Sequence, residues 1–233
     1  MRSFLEFLAQ AVIATLVAQA WFVEPYAVVS GSMTPTLNGP HRAFRCTACG
    51  ARNVRPAEMG TMLGRRTRCA ACGAQGPAED ELAELPGDRV LVDRTAFWFR
   101  PPRRWQVVAF RLPFDPGKTA VNRIVWLPGE TVELRGGRVM VDGRPLEAPL
   151  KIDYETGRRP PGPAQWKLAD DEYLLLGDQP ELSIDARHWG DHAGIAARYL
   201  VGRPVFVHCP YREVRWYGRS FHVPDVSAIR YIR

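Results

Sequence analysis

The chain has 233 residues, 46% of them hydrophobic and 24% charged, which is enough for one sizeable core with appendages and excludes a disordered polypeptide. Lysine and arginine exceed the acids by six, a surplus that suits anionic lipid, nucleic acid or plain solubility and selects none of them. The surplus is local: residues 41–72 hold Arg42, Arg45, Arg52, Arg55, Arg65, Arg66 and Arg68 against the single acid Glu58, and the remainder is near neutral.

The first element is apolar. Residues 7–23 carry no formal charge, and as a helix they span roughly 26 Å, a short but workable membrane segment. Gln10 and Gln19 weaken it, while Glu6, Glu24, Trp21, Phe22 and Tyr26 stand where headgroup and interfacial contacts are expected. Arg2 and the α-amine favour a cytoplasmic N-terminus, so residues 1–25 read as a single-pass anchor with the body of the chain outside. A cleaved secretory signal is the alternative, since Ala18-Gln19-Ala20 fits a small-x-small site. A buried core helix fits less well, because nearly every face is apolar.

Next comes Val29-Ser30-Gly31-Ser32-Met33-Thr34-Pro35-Thr36-Leu37, whose Ser32 lies about nine residues past the apolar segment. By composition it is a loop, placed where membrane-tethered substrates reach its hydroxyls. A cysteine-bearing insert, residues 41–85, follows. Cys46-x2-Cys49 and Cys69-x2-Cys72 lie nineteen residues apart, and each pair is followed by a glycine, Gly50 or Gly73. The spacing fits a zinc ribbon with four thiolate ligands, a closed and therefore structural site. Two disulfides fit the same cysteines in an oxidising compartment. Cys209 is left over and reads as a buried thiol.

Beyond residue 85 the pattern changes to short β-branched and aromatic runs between turn signals. Val90-Leu91-Val92, Val107-Val108-Ala109-Phe110, Arg123-Ile124-Val125-Trp126, Val132-Glu133-Leu134, Arg138-Val139-Met140-Val141, Tyr173-Leu174-Leu175-Leu176 and Val205-Phe206-Val207 read as strands. Gly136-Gly137 is a hairpin signal, Asp142-Gly143 ends the following strand, and Pro116-Gly117-Lys118 reads as a turn. Residues 155–165, rich in proline and glycine, read as an irregular loop. The expected architecture is mostly β, an antiparallel sheet with sandwich or barrel closure.

Four segments recur in order: the Ser30–Ser32 box; Gly87-Asp88-Arg89-Val90-Leu91-Val92; Asn122-Arg123-Ile124-Val125-Trp126-Leu127-Pro128-Gly129-Glu130; and Gly177-Asp178 with Ser183-Ile184-Asp185-Ala186-Arg187-His188-Trp189-Gly190. Together they resemble the boxes of bacterial type I signal peptidase, over most of the chain outside residues 38–85. The resemblance implies a barrel-like β domain, residues 26–40 and 86–233, on one transmembrane helix in the bacterial inner membrane. Its peptidase domain would lie on the periplasmic side and cut signal peptides from exported preproteins. It implies Ser32 as nucleophile, with the Ser32 amide and the Ser30 hydroxyl as oxyanion donors. Ser183 would orient the base, with Asp178 and an Asp185–Arg187 ion pair as support. Signal peptides and the lipid bilayer are the expected partners, with no nucleic acid and no catalytic cofactor.

The chain departs from that pattern in three places. Where the family carries its basic lysine, this chain has Asn122, and Trp126 replaces the glycine of the same box. A lysine serves because burial lowers its pKa until the neutral amine takes the serine proton; an amide has no basic nitrogen near neutral pH. Lys118 lies four residues away, about 13 Å along a strand. None of His41, His188, His192, His208 or His222 occupies position 122. Gln179-Pro180-Glu181-Leu182 also departs from the Asn-Arg-containing stretch of the family. A non-catalytic protein that binds signal peptides or membrane partners is therefore the competing reading. A zinc-ribbon nucleic-acid binder is disfavoured by the expected topology.

Overall fold

A computed structural model describes residues 2–58, 66–69, 71–77, 84–147, 152, 154, 165–190, 193–208, 210–217 and 219–232. Residues 155–164 of the expected loop at 155–165, Cys209 and His192 lie outside these residues, and Gln165 opens a strand instead. The chain opens with helix α1 (Arg2–Phe22), which contains neither glycine nor proline and stops three residues before Pro25. Its apolar side chains face outward on all sides, with Phe4, Leu5, Phe7, Leu8, Val12, Ile13, Leu16, Val17 and Trp21 exposed. Among the described residues no helix is long and apolar enough to cross a membrane, so the structure gives the helix without the expected transmembrane span.

Strand β1 (Val23–Ala27) leads into a 3-10 turn at Gly31–Met33 that carries Ser32. The cysteine-bearing segment then forms two separate hairpins, β2 (His41–Arg45) with β3 (Arg52–Pro56), and β4 (Arg66–Arg68) with β5 (Gln75–Pro77). The chain continues through β6 (Arg89–Asp93), β7 (Val107–Leu112), β8 (Asp115–Trp126), β9 (Thr131–Arg135), β10 (Arg138–Val141), β11 (Arg144–Pro145), β12 (Gln165–Lys167) and β13 (Glu172–Leu176). It closes with β14 (Ile195–Ala196), β15 (Leu200–Val207), the hairpin β16 (Tyr211–Trp216) and β17 (Arg219–Pro224), and β18 (Arg230–Tyr231).

The main sheet has the order β1-β6-β15-β7-β8-β13-β14, with β18 paired to β15, and its pairings are antiparallel. A second sheet has the order β11-β10-β9-β12. The expected mostly β, antiparallel architecture is present. Barrel closure is not: among the described residues the main sheet runs open from β1 to β14. The Gly136-Gly137 turn has both φ angles positive, at 57° and 70°, which matches the right-handed twist of the flanking strands. Pro116-Gly117-Lys118 does not turn. The reversal between β7 and β8 falls at Pro113-Phe114, and Lys118 lies within β8.

Three apolar clusters hold these layers. Val90, Val92, Val107, Ala109 and Val207 line one, and Met33 and Leu37 from the serine box pack into it. Those two side chains, each worth about 1.5–3 kcal/mol when fully buried, fix the serine turn on the sheet. Trp126, fully buried, sits in a second cluster with Val132, Val139 and Leu174 and donates Nε1–H to the Met140 carbonyl at 2.9 Å. It thereby welds the end of β8 onto the second sheet.

Candidate active site and sulfur cluster

Ser32 is half-buried, and its hydroxyl lies 3.2 Å from that of Ser30. The turn holding it is pinned at several points. Its carbonyl accepts from the Gln179 amide at 2.9 Å, and the Gly31 amide donates to Glu58 Oε2 at 3.0 Å. Gly177 lies so close that a Cβ there would come within 2.2 Å of Ser183 Oγ and 2.7 Å of the Ser32 carbonyl. Only glycine lets the Gly177-Asp178 segment bring Ser183 and Ser32 together.

Two buried ion pairs frame this contact. Arg123 grips Asp178 through Nε and Nη2, both at 2.7 Å, and also donates to Thr36 Oγ1 at 3.0 Å and to the Trp105 carbonyl at 2.6 Å. Thr36 in turn donates to Asp178. Arg187 grips Asp185 at 2.8 and 2.9 Å, and the Gly177 amide donates to Asp185 at 3.0 Å. Burial pushes the Asp185 carboxyl up, but the neighbouring His188, whose Nδ1 stands 3.8 Å away, the Arg187 hydrogen bonds and charge, and the Gly177 amide outweigh it and hold the group below the ordinary carboxylate value. A third pair, Arg230 with Asp88 at 2.6 Å, ties the end of the box through Asp88, which also accepts from the Asn38 amide at 2.9 Å.

The structure thus gathers Ser30, Ser32, Asp178, Ser183, Asp185 and Arg187 around one turn. Asn122 is buried on β8, the strand packed against that turn, yet among the described residues its side chain makes no hydrogen bond to Ser30, Ser32 or Ser183. Among the described residues the buried Ser183 Oγ has no hydrogen-bond partner. Lys118 is no substitute base: it is exposed, paired to Asp115 at 2.8 Å, and the Asp115 hydrogen bond and charge push its pKa up, the wrong direction for accepting a proton. Arg123, Thr36, Asp88 and Glu58 were not expected from the sequence. Arg123 carried a signal, because an arginine inside a buried apolar strand demands a carboxylate partner. Glu58 carried none.

Away from this turn, Cys46, Cys49, Cys69 and Cys72 bring their sulfurs within 4.8 Å of one another, with Cys46–Cys72 and Cys49–Cys69 at 3.7 Å. Four sulfurs on a tetrahedral ion with bonds of about 2.3 Å stand about 3.8 Å apart, whereas a disulfide needs about 2.05 Å. All four are free thiols. The knuckles repeat each other: the Gly50 amide donates to the Cys46 carbonyl and the Gly73 amide to the Cys69 carbonyl, both at 2.8 Å, and both glycines have φ above 70°. Burial raises the Cys69 thiol, but the Cys72 amide first, with Asn53 and the Ala71 amide, brings it down to about 6. The Ala51 amide lowers Cys49, yet the neighbouring Cys72, Cys69 and Cys46 side chains, with burial, push it up to about 12. The donor set fits a metal ion.

Comparison with known proteins places these features. The chain is 33% identical over 129 residues to signal peptidase I of Leptolyngbya laminosa, covering 51% of this chain and 58% of that protein. A probable signal peptidase I-1 of Synechocystis is 29% identical over 61% of this chain and 73% of its own length. Signal peptidase I of Pseudomonas fluorescens is 25% identical over 76% of this chain and 58% of its own. The chain therefore spans little more than half the length of two of these three. A crystal structure of signal peptidase I from Enterococcus faecalis aligns with 45% of this chain and 97% of its own, at 25% identity and a TM-score of 0.34. The family model for signal peptidase, peptidase S26, matches residues 78–209, which include Asn122, Asp178, Ser183, Asp185 and Arg187 and exclude the serine turn and the four clustered cysteines. On that match across more than half its length, the chain belongs to the signal peptidase S26 family.

Proposed function

We propose that this chain is a serine endopeptidase of the signal peptidase I type, acting on the signal peptides of exported preproteins, with its chemistry slowed by the loss of the basic residue at position 122. The contact between the Ser30 and Ser32 hydroxyls at 3.2 Å, on a turn clamped by Gln179 and Gly177, carries the reading. In this scheme Ser32 Oγ attacks the scissile carbonyl and gives up its proton to solvent water, the Ser32 amide and Ser30 hydroxyl receive the developing oxyanion, the amine leaves with a proton from solvent, and water hydrolyses the acyl ester. Asp178 and Asp185, held by Arg123 and Arg187, keep the Gly177–Ser183 segment against the turn. Asn122 cannot take the serine proton, and the Ser183 hydroxyl, which in this scheme would orient a base, has no hydrogen-bond partner among the described residues. That same pair of observations supports the second reading, a signal-peptide binder that does not cut.

The exposed apolar faces of α1 support attachment of the chain to a lipid bilayer, here the bacterial cell membrane, with the β domain on the outer side. The sulfur spacing supports a structural Zn²⁺ held by Cys46, Cys49, Cys69 and Cys72; such an ion would neutralise the crowded thiolates and fix the two knuckles. The test is preprotein cleavage by the purified full-length protein beside Ser32→Ala. Measurable cutting that disappears in the variant is expected. Equal cutting by both overturns the serine assignment, and cutting by neither selects the binder.

A further inference from the structure

The cysteine-bearing segment touches the serine turn directly. Glu58, the single acid of the arginine-rich window 41–72, sends Oε2 to the Gly31 amide at 3.0 Å. Pro56, at the end of β3, presses on the same residue: a Cβ at Gly31 would come within 2.5 Å of Pro56 Cβ, with Leu182 Cδ1 at 3.0 Å from the other side. The turn is thus held between Pro56 of the cysteine-bearing segment and the residue preceding Ser183. The same strand reaches the sulfur cluster at its other end, where buried Asn53 donates Nδ2–H to Cys69 Sγ at 3.4 Å and to the Ala51 carbonyl at 2.9 Å. A continuous path of one strand and two hydrogen bonds therefore joins the four sulfurs to the residue before the nucleophile.

We propose that Glu58 is a positioning residue for the Ser32 turn and that a metal ion on the four cysteines sets the turn's order through β3 and Glu58. The proposal rests on the serine reading for its catalytic consequence and on geometry alone for its structural one. A carboxylate accepting from a main-chain amide is stronger than a neutral acceptor, and the Gly31 amide is the donor that fixes the Ser30–Gly31 peptide plane, one residue before Ser32. With the sulfurs unbridged, β3 loses the anchor that holds its end against Gly31, and the hydroxyl of Ser32 loses its fixed distance to Ser30.

The test is amide hydrogen exchange on the full-length protein in detergent, loaded with zinc and after chelation, for wild type, Glu58→Ala and Glu58→Gln. In wild type, chelation is expected to speed exchange in the peptide covering residues 30–36 while the β7–β8 hairpin stays protected. Glu58→Ala with zinc bound should already show the fast exchange and respond little to chelation; Glu58→Gln, which keeps an acceptor, should stay near wild type. No change at 30–36 on chelation of wild type, or none in Glu58→Ala, overturns the proposal, and the wild-type arm decides should a variant fail to fold. In whichever background cleaves, wild type or Asn122→Lys, Glu58→Ala should lower kcat roughly tenfold at unchanged KM, with Gln restoring it. Cleavage by neither background counts against the proposed function, while the exchange result still decides this one.

Discussion

A serine hydroxyl becomes an efficient nucleophile when a neighbour removes its proton, and the neighbour on β8 is Asn122, which has no basic atom. The residues around it are nevertheless held as an active site would need. Asp185 is the clearest case. Its pKa is lowered in the folded chain, so its contribution to stability is present above the unfolded carboxylate value of about 3.9 and is lost as pH falls through the folded value. Urea unfolding of wild type should therefore weaken in acid below about pH 4, and Asp185→Asn should lose that part of the slope. At neutral pH the same variant leaves the Arg187 guanidinium buried without its partner, at a cost of about 3–5 kcal/mol in the urea midpoint analysis. Lys118→Ala, by contrast, should leave cleavage unchanged, because that side chain is exposed on the far reach of β8.

Among elements, β8 shows what patterning reveals and what it hides. Its apolar half, Arg123 to Trp126, was legible from β-branched and aromatic runs, and so were the Gly-Gly and Asp-Gly turns, whose positive φ angles require those residues. Pro116-Gly117-Lys118 was misread as a turn because it carries turn chemistry; in the structure these residues form an irregularity within β8, between the Arg111–Thr119 and Leu112–Asp115 pairs. Trp126 stood out as a family departure, and the structure gives its reason: the ring closes the core between the two sheets. Trp126→Ala should cost about 3–5 kcal/mol in denaturant unfolding. The cysteine knuckles were legible from spacing, since two CxxC pairs have few ways to fold. Metal analysis of the reduced protein should find one zinc per chain, and Cys49→Ser should abolish it; two disulfides and no metal would reverse that assignment. The bond from Glu58 to Gly31 was illegible, because no local pattern links residues twenty-seven apart.

At the scale of the whole molecule, the chain joins an outward-facing apolar helix, an open antiparallel sheet with a second sheet packed at its end, and a sulfur-bearing appendage that reaches the serine turn. Barrel closure did not follow from alternation of strands, since closure depends on which edges pair across the molecule and not on any single strand. The helix should carry the chain to lipid. Full-length protein is expected to float with phospholipid vesicles in a density gradient, and a variant lacking residues 2–22 to remain at the bottom.

The central claim is that a serine site stands complete except for its base. The initial rate of preprotein cleavage by Asn122→Lys, relative to wild type, measures this directly. A gain of at least roughly 100-fold is expected, the usual worth of a positioned general base, and it should vanish when Ser32→Ala is added. A rate no higher than wild type, or one that survives the loss of the Ser32 hydroxyl, would contradict it.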